Sequence, residues 1–294
     1  MRHDKGVVIT DVDPEAGFEA MQMYAAHTRF ADADFALVRD LAKALERVRA
    51  GDWPETETQR VLNRCLRAAG GGLRLDVPPQ YRRGGLRYYP DQLRASVLWL
   101  LDLLAEFAEA SDLSDKTILD IGCGVKFSQA FVENNIPVGH YHGVELDPGL
   151  VEFLSTTLRV LPYLSYAHID VQNDMYNKDA PRLNEAIDLG AGGRKFDIVC
   201  LYSVFSHLDP TDYQTMLRLT RRHVAEDGRL VFSSFIRDQE PEFVDLDPAS
   251  PLHKACYRRD VVDRWIEAAG WRLVRHRAAD KEYYGQDLFV CAPA

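Results

Sequence analysis

The chain carries no G-x-x-x-x-G-K-S/T loop, so the backbone cradle with which nucleoside triphosphatases hold phosphates is missing. It has no C-x-x-C pair either. Its five cysteines, Cys65, Cys123, Cys200, Cys256 and Cys291, are scattered and odd in number, which argues against a zinc site and a disulfide framework and fits a reducing cytoplasm. No apolar run approaches the ~20 residues of a bilayer span. The longest, Ala95 to Leu101, is cut by Asp102, and Met1-Arg2-His3-Asp4-Lys5 leads into no signal-like apolar segment, so neither insertion nor export is expected. Positive charge is short as well. A net charge of −10 would repel a nucleic acid, and the two notable basic pairs, Arg82-Arg83 and Arg221-Arg222, read as solvated surface. The exclusions leave a cytoplasmic protein with neither nucleic acid nor membrane as partner.

A hydrophobic share of 46% over 294 residues permits one large domain of roughly 200 residues plus an accessory segment. Thr117-Ile118-Leu119-Asp120-Ile121-Gly122-Cys123-Gly124-Val125-Lys126 is an apolar run ending in an acid and two glycines one residue apart. It reads as a buried parallel strand turning sharply into a helix, the kind of turn that binds cofactors. Glycine is needed there for tight backbone angles and for a ligand's close approach. The carboxylate of Asp120 can hold the turn or accept from a cationic ligand. A second strand, Gly139 to Glu145, ends in an acid 21 residues after Gly124, near the ~20-residue interval at which an acid meets ribose hydroxyls. Phe127 stands where the dinucleotide fingerprint needs a third glycine, which disfavours a pyrophosphate cofactor.

These residues resemble the class I S-adenosylmethionine-dependent methyltransferases. Ser165 to Asp170 matches the family's third strand, Phe196 to Leu208 its fourth strand and following loop, and Asp227 to Phe235 its fifth. The resemblance implies a doubly wound α/β fold with a mostly parallel seven-stranded sheet whose last strand is antiparallel, over residues 91–294. It implies S-adenosylmethionine as cofactor and S-adenosylhomocysteine as product. The cofactor-binding residues it points to are Asp120, Gly122, Cys123 and Gly124 for the methionine portion, Glu145 with Leu146 for the ribose, Asp170 with Val171 for adenine, and Tyr202 and Ser203 after the fourth strand. Lys126 departs from the pattern, since many members have a further glycine there; it is either solvated or directed at the cofactor carboxylate or the substrate.

Helices are expected near 93–110, 126–134, 148–159, 181–189, 211–225 and 258–269, with Pro148 and Asp209-Pro210 as starts and Gly228 and Gly270 as stops. Helical periodicity at 16–28, 33–50 and 56–69, then a Gly- and Pro-rich loop from Gly70 to Pro90, makes residues 1–90 a helical cap that carries substrate choice and offers a homodimer contact. The stretch Tyr81 to Tyr89 is a lid or an ordered linker.

Methyl transfer is an in-line displacement, so positioning the acceptor and removing its proton are the protein's tasks. His207 is the candidate base, because it follows the fourth strand and imidazole titrates near neutrality; its other reading is a loop clamp. Tyr88, Tyr89, Tyr283 and His207 are the candidate acceptor contacts. His168 reads as packed or adenine-side, and His140 with His142 lacks a third ligand for a metal. The expected function is metal-independent methylation of a small molecule at oxygen or nitrogen. A cofactor-binding scaffold, or a protein or nucleic-acid methylase, is the alternative.

Overall fold

A computed structural model of the chain describes residues 7–8, 73–75, 77–82, 90–134, 136–159, 161–173, 177–247, 252, 254–279 and 285–294. The expected helices at 16–28, 33–50 and 56–69 lie outside them. Nine strands form one sheet: β1 (Leu113–Ile121), β2 (Val138–Glu145), β3 (Leu164–His168), β4 (Phe196–Leu201), β5 (Val224–Arg237), β6 (Phe243–Asp245), β7 (Ala255–Arg258), β8 (Trp271–Arg277) and β9 (Asp287–Pro293). Seven of them run in the order β8-β9-β5-β4-β1-β2-β3, and β7 pairs with β5 and β6 off that path. Strands β3, β2, β1, β4 and β5 are parallel neighbours, while β9 is antiparallel to both β5 and β8. The expected seven-stranded sheet with its antiparallel last strand is present, and the β6–β7 pair is an addition to it.

The central strands read as apolar runs because both faces are covered. The ends of β1 and β4, Ile118 to Ile121 and Ile198 to Leu201, are buried throughout. On one face, α1 (Pro90–Phe107), α2 (Lys126–Glu133) and α3 (Pro148–Thr157) pack Leu104, Phe131 and Leu154 against Tyr141 and Ile118. On the other, α4 (Pro210–Arg221) and α5 (Arg259–Ala268) pack Leu217 and Ile266 against Leu119, Phe232 and Trp271. Helix starts follow side-chain chemistry. Asp147 accepts from the N–H groups of Gly149 and Leu150 at 3.0 and 3.1 Å, and Asp209 from Thr211 and Asp212 at 2.8 Å each, with proline next in both helices.

Two expectations change. Residues 181–189 form no helix, because local bonds supply turns instead: Asn184 Oδ1 accepts from Ala186 N–H and Asp188 Oδ1 from Gly190 N–H, both at 2.9 Å. Helix α4 stops at Arg221 rather than 225, since β5 begins at Val224. Part of the Gly- and Pro-rich stretch is firmly packed: Leu73–Arg74 pairs in parallel with Val7–Val8, and Leu75 and Val77 are buried in the core of the α1 face. Among the described residues no helix is long and apolar enough to cross a membrane.

Candidate active site

The strand order reverses at β1, flanked by β2 and β4, and ligands of open α/β sheets sit outside the carboxyl ends of the strands at such a point. Two adjoining cavities lie there, about 130 and 230 Å³, together within the lower part of the ~300–1,000 Å³ range of small-molecule sites. Gly122, Gly124, Tyr202 and Ser203 line both.

Gly122 has φ +75°, and a Cβ on it would stand 2.6 Å from Cγ2 of Val204. Glycine is therefore required twice over, by backbone angle and by space. Its N–H and that of Cys123 both donate to the carbonyl of Val144, at 2.8 and 3.1 Å, which ties the turn to β2. Gly124, φ +51°, donates its N–H to Oε2 of Glu145 at 3.0 Å, and Leu146 N–H donates to Oε1 at 2.8 Å. The Glu145 carboxylate is thus held from two sides while only 5% exposed.

The smaller cavity is bounded by Asp120, Cys123, Val125, Lys126 and Phe127, with Leu100 of α1 and Tyr81. Tyr81 comes from the short 3-10 turn Pro79–Tyr81 and stacks at a tilt on Phe153, ring centroids 5.7 Å apart. Asp120 is buried and accepts a 2.7 Å hydrogen bond from Tyr141 OH. Burial pushes its carboxyl up to about 7, outweighing the hydrogen bonds from Tyr141 and Cys200. Burial also pushes the Cys123 and Cys200 thiols well up, so neither is a thiolate nucleophile.

The larger cavity is bounded by Val144, Glu145, Leu146, Ile169, Val171, Gln172, Asn173 and Leu183, then by Val204, His207, Leu208 and Met216. Its wall is mainly apolar, suited to a flat base, and includes the Glu145 carboxylate. His207 closes the 3-10 turn Phe205–His207 and donates from Nδ1 to the carbonyl of Leu252 at 3.0 Å. A carbonyl only accepts, so the proton of the neutral ring is on Nδ1 and the lone pair on Nε2. Leu252 is itself held by Asp245, whose Oδ2 accepts its N–H at 2.7 Å.

The structure gathers Asp120, Gly122, Cys123, Gly124, Glu145, Leu146, Val171, Tyr202, Ser203 and His207 around these cavities. Asp170 is not among the lining residues. It is exposed, just beyond β3, and accepts from Asn177 Nδ2 at 2.9 Å. Tyr88, Tyr89 and Tyr283 lie outside the described residues. Lys126 stands exposed at the first position of α2. His168 is exposed and donates from Nε2 to the Leu146 carbonyl at 3.2 Å, while His142 is buried between Ser165 Oγ and the Leu189 carbonyl, 2.8 Å from each. Gln172, Asn173, Leu183 and Met216 carry no motif and were not expected at the site; Leu208 stands in the matched stretch after the fourth strand without having been singled out, and Tyr81 was expected only within a lid or ordered linker.

A doubly wound sheet with a glycine turn after β1, an acid ending β2 and an apolar cavity at the carboxyl ends of the strands is the architecture that the sequence resemblance implies. Residues 89–277 match the methyltransferase domain family, and the chain belongs to it. Among solved structures it is similar to the magnesium protoporphyrin IX methyltransferase of Synechocystis PCC 6803 with bound S-adenosylhomocysteine, at 14% identity over 73% of this chain and 91% of that one, TM-score 0.49. It is also similar to the 1,6-didemethyltoxoflavin-N1-methyltransferase of Burkholderia thailandensis, at 15% identity over 75% and 94%, TM-score 0.48.

Proposed function

We propose that the chain methylates an oxygen or nitrogen of a small organic acceptor in the cytoplasm, with His207 taking the acceptor's proton. The observation that carries this reading is the Nδ1 bond to Leu252, which leaves the basic lone pair on Nε2 of a cavity-lining imidazole. The residues present fit the cofactor. Glu145, braced by Gly124 and Leu146, offers carboxylate oxygens to the ribose hydroxyls; Leu146, Ile169 and Val171 enclose the base; Asp120 faces the methionine ammonium beside Gly122 and Cys123. When bound, S-adenosylmethionine supplies an electrophilic methyl group on sulfur. Residues 91–294 form the catalytic domain in this reading and 1–90 the acceptor-facing segment, supported by Tyr81 at the rim of the smaller cavity. Tyr88, Tyr89 and Tyr283 complete the acceptor contacts, and the N-terminal helices offer a dimer contact.

The same Nδ1 bond, because it ties the turn after β4 to Leu252 in the segment before β7, also favours a second role in which His207 clamps loops. The test screens labelled S-adenosylmethionine against small hydroxyl and amine acceptors, then assays His207→Ala and His207→Gln on the best one. A base makes both variants slower by about 10²-fold or more with unchanged S-adenosylhomocysteine affinity. Full rate in an assay limited by chemistry would leave only the clamp.

A further inference from the structure

Three described residues other than glycine have positive φ, Glu109, Ser203 and Leu252, and of these Ser203 lines the cavities. A serine at φ +58° is strained and persists only where its surroundings hold it. What holds it is a closed ring of three hydrogen bonds. Ser203 N–H donates to Ser233 Oγ at 2.8 Å, the Ser233 hydroxyl donates to Gln286 Oε1 at 2.9 Å, and Gln286 Nε2 donates to Ser203 Oγ at 3.0 Å. Each partner fixes the next. Ser233 accepts from the backbone and so passes its proton on to Oε1, which turns the amide nitrogen of Gln286 toward Ser203.

Two members of the ring are buried, Ser233 fully and Gln286 to within 8% exposure, and Ser203 is half-buried where it meets the cavities. It exists because β5 outruns β4 and because β9 is antiparallel: pairing of Leu288 with Ser233 brings the residue preceding β9 to the carboxyl edge of β4. The next residue along, Val204, packs on the bare face of Gly122, so the shape of this turn bears on the glycine turn as well.

We infer that Gln286 is a positioning residue for the cofactor, acting through Ser203 to hold the turn after β4 in the left-handed shape that gives both cavities their shared wall. The inference rests on the reading that these cavities take the cofactor. Glycine adopts positive φ without strain, so a chain with glycine at 203 has no need of the ring.

The test is a calorimetric titration of the full chain with S-adenosylhomocysteine. Gln286→Ala and Gln286→Met are measured in the native background and again with Ser203→Gly. Methionine fills the volume of glutamine, which keeps the experiment decisive where alanine unfolds the chain. In the native background both variants are expected to bind roughly tenfold more weakly, and in the Ser203→Gly background to change affinity by less than about twofold. An equal loss in the two backgrounds, or no loss in the first, overturns the inference. Glu145→Ala separates the layers. If it binds like the native chain, the cavity reading fails and the inference with it; if it binds weakly while the Gln286 variants bind normally, only the inference fails.

Discussion

The turns after β1 and β4 meet at the same cavities and solve the same backbone problem differently. After β1, positive φ is met by Gly122 and Gly124, which need nothing from elsewhere in the chain to adopt it. After β4, it is met by Ser203, which needs Ser233, 30 positions on, and Gln286, 83 positions on. The first turn is a local property of sequence. The second is a property of the finished sheet.

Replacement of Gly122 by valine is the sharpest way to break the comparison, because the new side chain meets Val204 and a backbone angle it cannot adopt. Loss of S-adenosylhomocysteine binding by 100-fold or more, roughly 3 kcal/mol, is expected in calorimetry. Glu145→Ala comes next: on the proposed ribose contact, removal of a charge-assisted partner of a buried hydroxyl weakens binding by about 1.5–3 kcal/mol. Gly124→Ala is milder, since nothing lies within 4 Å of its Cβ position and only backbone strain of about 1 kcal/mol opposes it.

The smallest effect is with pH. Asp120 ionises near 7, and an anion there favours the ligand's ammonium, so affinity should rise severalfold from pH 6 to 8 in the native chain and stay flat in Asp120→Asn. The same raised value has a sign for stability. Unfolded, the group ionises near 3.8, so between about 4 and 7 the folded chain holds the extra proton and stability falls as pH rises, then levels above 7. Thermal melts of the ligand-free chain check this; a native chain whose Tm is flat over that window relative to Asp120→Asn would break it.

The parallel strands were legible because a strand buried on both faces is written as an apolar run, and Gly122, Gly124 and Glu145 because turn and acid sit at fixed spacing. The capped starts of α3 and α4 were legible for the same local reason. Residues 181–189 misled because their apolar positions, Leu183 and Leu189, are buried by a chain that turns on Asn184 and Asp188 instead of coiling. The β6–β7 pair was missed: its strands have three and four residues and are defined by pairing, not by pattern. Leu75, Val77 and Tyr81 escaped because a Gly- and Pro-rich stretch hides which of its few apolar residues will be buried. Asp170 stands beside the cavity instead of within it because the chain leaves β3 with Ile169 and Val171 turned inward.

The place of β9 orders the assembly of the site in time. It is the last strand in sequence yet lies inside the sheet, between β5 and β8, and β8 has no other neighbour along the edge. During synthesis, which delivers the chain from its N-terminus, β8 must wait for a strand not yet made. The glycine turn is complete long before, but the turn after β4 lacks Gln286 until β9 begins. A ribosome-bound chain arrested short of residue 286 would therefore own only one of the two turns that wall the cavities, and on the proposed reading should retain S-adenosylhomocysteine far less well than one released from the ribosome.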